Sequence, residues 1–298
     1  MRCTELGRTS ASTQNNKSSH AEKVKSKPMT ISTTGTTTIP ATGATVHRVP
    51  AFNDNYIWLL DNGDGTAMAV DPGDAAPIEA ALAAKGLRLD AILLTHHHFD
   101  HVGGVERLKA AWQCTVYGPR NPAIAHIDTR LNAGDQFRRG AYAFRVMAVP
   151  GHTLDHIAYF QAGPEPLLFC GDTLFAGGCG RIFEGDPPMM YKSLTSLASL
   201  PEETAVYCAH EYTLANLAFA MVAEPENELL RQREADTRTL RSEGKATVPS
   251  SLKLELDTNP FLRSSRESLR VGLRAAGRDP GNTPLDTFAQ LRQWKDDF

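Results

Sequence analysis

The stretch AILLTHHHFDHVGG (91–104) constrains this chain more than any other. Four histidines and one aspartate fall within residues 96–101, directly after a strand-length apolar run. Histidine is the commonest metal-ligating side chain, and the break at Phe99 and Asp100 sets the run apart from a purification tag. Side chains alternate along a strand, so His96 and His98 share one side while His97 points away. Asp100 and His101 follow in a turn, before Gly103 and Gly104 let the chain reverse tightly. Two ligand sets rather than one are expected, with His97 in a supporting or packing role.

The same arrangement recurs downstream. VPGHTLDH places His152 after the run FRVMAV, LLFCGDTLF places Asp172 after another, and VYCAHEY places His210 after a third. A lone His or Asp at a strand end is ordinarily a turn or capping residue. Taken together with the first motif, these positions make a metal site the better reading, because strand-end loops are where a scaffold presents functional groups.

The remaining runs, among them ATVHRV, NYIWLL, TAMAV, CTVYG and IAYF, are strand-length and bounded by Gly, Pro, Asp or Asn. Helical patterns such as PIEAALAAKG and VERLKAAW lie between some of them. The expectation is an α/β layered domain over 44–211. From 212 to 298 the patterns turn helical. The last helix has Thr283 as N-cap, Pro284 at N1 and Asp286 at N3, with Leu285, Phe288 and Leu291 as its apolar stripe. Residues 1–43 are Thr-, Ser- and Gly-rich and are expected to form a disordered leader. A transit peptide would be richer in Arg and poorer in acid than this stretch, and Met29 is an alternative start.

Charge is nearly balanced, 31 basic against 34 acidic residues, which gives no case for a nucleic-acid or membrane partner. No run approaches the ~20 apolar residues of a membrane span. Five cysteines without a CxxC pair fit neither a disulfide scaffold nor a zinc knuckle. A cytoplasmic monomer is expected, or a mitochondrial protein if the leader is a transit peptide.

The order HxHxDH, His, Asp, His resembles the metallo-β-lactamase superfamily, which implies an αββα sandwich with a two-metal hydrolytic site. The resemblance implies one metal held by His96, His98 and His152, a second by Asp100, His101 and His210, and Asp172 bridging both. Such ligands suit zinc, and also iron or manganese. True β-lactamases usually lack the bridging aspartate. The closer resemblance is to the glyoxalase II family, across 46–298: FNDNYIW, AVDPGD, THHHFDHVGG, PGHTLDH, GDTLFAGGCGRIFEG, AHEYT, NPFLR and LRQWKDDF match its stretches in order. That resemblance implies hydrolysis of a glutathione thioester by a hydroxide shared between the metals, with Asp100 and Asp172 as the catalytic carboxylates. It further implies a glutathione site between the two units, with Arg292 and Lys295 on the glycine carboxylate and Tyr212, Arg181 and Phe183 on the substrate. At 181 and 183 some members have Lys and Tyr, and Phe183 lacks the hydroxyl. Asp71 and His156 are read as supporting or turn residues. Open alternatives are a glutathione persulfide dioxygenase with one iron, a tRNA-processing nuclease and a non-catalytic metal protein. The complete second ligand set speaks against the first, the absence of a basic arm against the second, and the lack of cysteine ligands against the third.

Overall fold

The apolar runs become strands because β-branched and aromatic side chains suit a pleated, buried surface and turn residues interrupt them. The structure is a computed structural model that describes residues 35–39 and 43–298. Its first sheet runs in the order β1 (Thr36–Thr38), β2 (Thr45–Ala51), β3 (Asn55–Asp61), β4 (Thr66–Val70), β5 (Arg88–Leu93), β6 (Thr115–Pro119) and β7 (Thr129–Leu131). β1 to β4 pair antiparallel and β4 to β7 parallel. The crossovers carry α1 (Ala75–Lys85), then α2 (Phe99–Val102) and α3 (Val105–Trp112).

The second sheet comprises β8 (Gln136–Arg139), β9 (Tyr142–Ala148), β10 (Ile157–Gln161), β11 (Leu167–Gly171), β14 (Ala205–Cys208) and β15 (Ser250–Ser251), in the spatial order β15-β14-β11-β10-β9-β8. Between β11 and β14 come a separate hairpin, β12 (Leu174–Phe175) with β13 (Gly178–Cys179), and helix α4 (Pro187–Ala198). The sheets meet face to face. Trp58 of β3 lies edge-on to Tyr207 of β14 at 4.9 Å, and Tyr207 stacks on Phe169 of β11. Ile78 and Leu82 of α1 and Leu108 of α3 pack with Leu59 and Ile92 on the far side of the first sheet. Every residue of β11 and β14 is buried, as befits a sheet covered on both faces. This is the αββα sandwich expected from the sequence.

The C-terminal helices are α5 (Thr213–Ala223), α6 (Glu228–Ser242), α7 (Leu252–Thr258), α8 (Glu267–Ala275) and α9 (Pro284–Asp297). α9 begins as its sequence predicts: Thr283 Oγ1 accepts the Asp286 N–H at 3.1 Å, and Asp286 Oδ2 accepts the Thr283 N–H at 2.9 Å.

One expectation needs correction. Residues 36–38, assigned to the disordered leader, form edge strand β1, paired from Thr36↔His47 to Thr38↔Thr45. Backbone bonds and β-branched threonines suffice for an edge strand, and Ile39 is buried beside it. The rest of the leader, including Met29, lies outside the described residues. The C-terminal unit is mostly helical, as expected, and its two-residue strand β15 pairs with β14 and ties it to the second sheet.

Candidate metal centre

The site forms where strand ends from both sheets meet. β5 ends three residues before His96; β9, β11 and β14 deliver His152, Asp172 and His210 from the other sheet. The ligand atoms of His96, His98 and His152 lie within 4.8 Å of one another, as do those of Asp100, His101 and His210. His96, His101 and Asp172 form a third such group that links the two. Asp172 Oδ1 is 3.4 Å from both His101 Nε2 and His210 Nε2, and its Oδ2 is 3.5 Å from His152 Nε2. Gly103 and Gly104 form the turn between α2 and α3, as expected, and they also allow close approach. A Cβ on Gly104 would stand 2.5 Å from Pro72 O, so only glycine lets this motif lie against the Asp71 turn.

Outer partners aim the rings. Thr95 Oγ1 donates to Asp71 Oδ2 at 2.8 Å and lies 3.0 Å from His96 Nδ1, which leaves Nε2 facing the site. His152 Nδ1 is 2.7 Å from Arg181 O. His101 Nδ1 is 3.0 Å from Asp71 Oδ2, and His210 Nδ1 is 2.8 Å from Asp54 Oδ1. Asn55 Nδ2 donates to Asp100 Oδ2 at 2.9 Å. His156 Nε2 accepts the Asp172 N–H at 3.1 Å, and its ring stacks on His96. His97 points away, as alternation predicts, to Asp155 (3.0 Å) and Glu184 (3.2 Å).

Burial is the largest influence on His96, His98, His101, His152, His156 and His210, and it disfavours the charged ring. In the first set it prevails, and His96, His98 and His152 are held below the ordinary histidine value. Burial also takes His156 down to about 3, which suits a ring that accepts a backbone N–H. In the second set the carboxylates prevail over burial. Asp172 and Asp71 hold His101 well above the ordinary value, and Asp172 with Asp100 raises His210 to about 10. Asp172 and Asp100 are both held below the usual carboxylate range in spite of burial, chiefly by His101 and His210.

His96 Nε2, His101 Nε2 and Asp172 Oδ1 are buried without a hydrogen-bond partner. Orphaned nitrogen and carboxylate atoms that converge on one another are what a divalent cation satisfies, and the residues therefore fit a metal.

The substrate-side residues are placed as follows. Phe183 sets its ring edge-on to His98 and His152 (5.7 and 5.2 Å between centroids), and Tyr212 stacks on His210 at 4.6 Å. Arg181 Nε and Arg292 Nη2 both donate to Asp296 Oδ1, at 3.2 and 3.0 Å. Arg292 is buried and also donates to Cys179 O at 3.1 Å, while half-buried Lys295 donates to Ala215 O at 3.2 Å. Both basic heads on α9 thus have protein partners, which their helical spacing did not reveal. Sequence reasoning assigned no role to Asp54 and Asn55. The pair falls in the FNDNYIW stretch, where Asp and Asn read as ordinary turn residues.

The family model for the metallo-beta-lactamase superfamily matches residues 51–210, and that for the hydroxyacylglutathione hydrolase C-terminus matches residues 211–298. The hydroxyacylglutathione hydrolase of Pseudomonas paraeruginosa is 52% identical over 255 residues, which cover 85% of this chain and 99% of the relative. The Photobacterium profundum protein of the same name is 49% identical over the same shares. Among solved structures, ETHE1 from Myxococcus xanthus is similar over 84% of this chain and 97% of its own, with a TM-score of 0.57 and 26% identity. A protein solved in a di-iron-bound form is similar over 72% of this chain and 98% of its own, with a TM-score of 0.52 and 28% identity. With both units matched in order and the relatives covered almost end to end, the chain belongs to the hydroxyacylglutathione hydrolase (glyoxalase II) family of the metallo-β-lactamase superfamily.

Proposed function

We propose that this protein hydrolyses S-D-lactoylglutathione and related 2-hydroxyacyl-glutathiones to glutathione and D-lactate, the second step of methylglyoxal detoxification, with two divalent metal ions, zinc first among them. The observation that carries this reading is the convergence of histidines from both sets on the Asp172 carboxylate, in a chain whose relatives are named hydroxyacylglutathione hydrolase. His96, His98 and His152 would hold one ion and Asp100, His101 and His210 the other. A structural neighbour that binds two irons supports the number two. When bound, the ions would polarise the thioester carbonyl and make a water acidic enough to attack at neutral pH.

The chain's own groups do the rest. Asp172 stays ionised between the sets and orients toward both. Asp100, kept ionised by His210, His101 and Asn55, would serve as an anionic ligand beside the reacting carbonyl. Burial keeps the Tyr212 phenol protonated, so its hydroxyl is a donor beside His210. A thiolate with a reference pKa near ~8.5 departs without a strong general acid, and none is needed here. Arg292 and Lys295 would anchor the glycine carboxylate of glutathione, Arg181 would meet its peptide backbone, and Phe183 would supply an apolar wall in place of a hydroxyl. Buried thiols at Cys114, Cys170, Cys179 and Cys208 suit a reducing cytoplasm. Among the described residues no helix is long and apolar enough to cross a membrane.

The test is hydrolysis of S-D-lactoylglutathione by the purified protein beside a metal count. Turnover with about two equivalents of Zn, Fe or Mn combined is expected from a two-ion site. A single equivalent of iron, with oxygen consumed on glutathione persulfide, would overturn the reading.

A further inference from the structure

The hairpin β12–β13 lies between the metal ligands and the C-terminal helices, and its tip is held by a buried charge that the hydrolysis does not use. Glu255 of α7 is fully buried and paired with Arg233 of α6, itself 6% exposed. Glu255 Oε2 accepts the Gly177 N–H at 2.8 Å and Asn259 Nδ2 at 3.0 Å, while Oε1 accepts from Arg233 and the Ser250 hydroxyl. Asn259 Nδ2 also donates to Phe175 O at 3.2 Å and Gly178 O at 2.9 Å. Gly177 has φ 71°, so the tip is a tight left-handed turn, and its polar groups end on two side chains of the C-terminal unit.

The ends of the same hairpin touch the metal site. Asp172 precedes β12 by two residues. Beyond β13, a Cβ on Gly180 would come within 1.9 Å of Asp172 O, so the two backbones are pressed together. The next carbonyl, Arg181 O, is the partner of His152 Nδ1, and Cys179 O is the acceptor for Arg292. A shift at the tip therefore reaches the shared carboxylate, one histidine of the first set and one cation of α9.

Stability alone does not call for this pair. Replacing a buried ion pair by apolar residues of similar volume is often neutral or stabilising. We infer that Glu255, with Arg233 as its counter-ion, is a positioning residue: through the hairpin it holds Asp172 and His152 in ligating geometry. The inference rests on the proposed metal-dependent hydrolysis and gives the helical unit a task beyond substrate anchoring.

Two double variants separate positioning from stability. Arg233→Met/Glu255→Gln removes the charges but leaves an acceptor for Gly177; Arg233→Met/Glu255→Leu removes both charges and acceptor. At matched Tm, the Leu variant should release metal to a chelator at least about tenfold faster than the Gln variant, within the range for outer partners of ligands. Its kcat on S-D-lactoylglutathione should fall by a similar factor, more than KM rises, and the Gly177 amide should exchange faster. Equal metal release and kcat in the two variants, or losses that simply follow Tm, would overturn the inference. Should the Leu variant not fold, Glu255→Asp withdraws the acceptor by one methylene while keeping the charge, and the same readouts decide. If the wild type does not turn over S-D-lactoylglutathione, the substrate assignment falls, and metal release still decides the positioning role.

Discussion

The two histidine sets lie side by side with the Asp172 carboxylate between them, yet their imidazoles are held in opposite charge states. His96, His98 and His152 rest on neutral partners, the Thr95 hydroxyl and the Arg181 carbonyl among them, and burial keeps them uncharged. His101 and His210 rest directly on the carboxylates of Asp71 and Asp54 and draw protons. The first set is thus ready to donate lone pairs to a cation. The second has more basic ligands, and a cation must displace protons to reach them. Identical side chains a few ångströms apart can be prepared for one task in two ways, and what differs is the charge of the residue behind each ring.

The harshest break is Asp172→Ala, which removes the carboxylate that faces histidines of both sets. Outer partners of ligands already cost roughly 10–100-fold, so loss of this carboxylate should lower turnover by more than about a hundredfold. Both metals should loosen in elemental analysis, while melting with excess metal changes less. Near-normal turnover would mean the site is assigned wrongly.

A pH series sharpens the contrast. His210 at about 10 is protonated at neutral pH in the metal-free protein, and deprotonates as pH rises. Because His101 is held above the ordinary value as well, two protons leave when a cation binds. Metal affinity of the second set should therefore increase by up to about a hundredfold per pH unit between about pH 6 and pH 8, and fall again on acidification. The first set, already neutral, should change little. Chelator competition at the two pH values reads both, and a uniform response would erase the distinction.

Asp54→Ala removes the carboxylate behind His210 alone. A titration should then show the second metal weakened by roughly 10–100-fold with the first retained. Equal weakening of both would show that the sets cannot be separated.

Lys295→Ala lies outside both sets and should leave metal content intact. If its ammonium holds a carboxylate of glutathione, a contact worth roughly 1.5–3 kcal/mol, KM should rise about tenfold or more with kcat little changed. Arg292→Ala is a less clean probe, because that side chain also holds Cys179 O and Asp296. An unchanged KM in the Lys295 variant would limit substrate anchoring to Arg292 and Arg181.

The positions of the metal-ligand types, the strands before them and the cap of α9 were legible because each depends on local order. A strand alternates its side chains every second residue, and Thr283, Pro284 and Asp286 cap a helix whatever surrounds it. His97 pointing away from His96 and His98 follows from the same alternation. What the sequence could not disclose were contacts made between distant segments. Asp54 reads as a turn residue until the start of β3 meets the end of β14 and sets it 2.8 Å from a histidine 156 positions later. Strand β1 is made by backbone bonds, so its Thr-rich composition carries no apolar signal. Arg292 and Lys295 showed their spacing on one helix, but only packing against the hairpin and α5 decided that both would be partnered within the protein. Periodicity and capping act between neighbours in the chain, whereas sheet register and helix docking fix which distant side chain stands behind each ligand, and with it the ligand's charge.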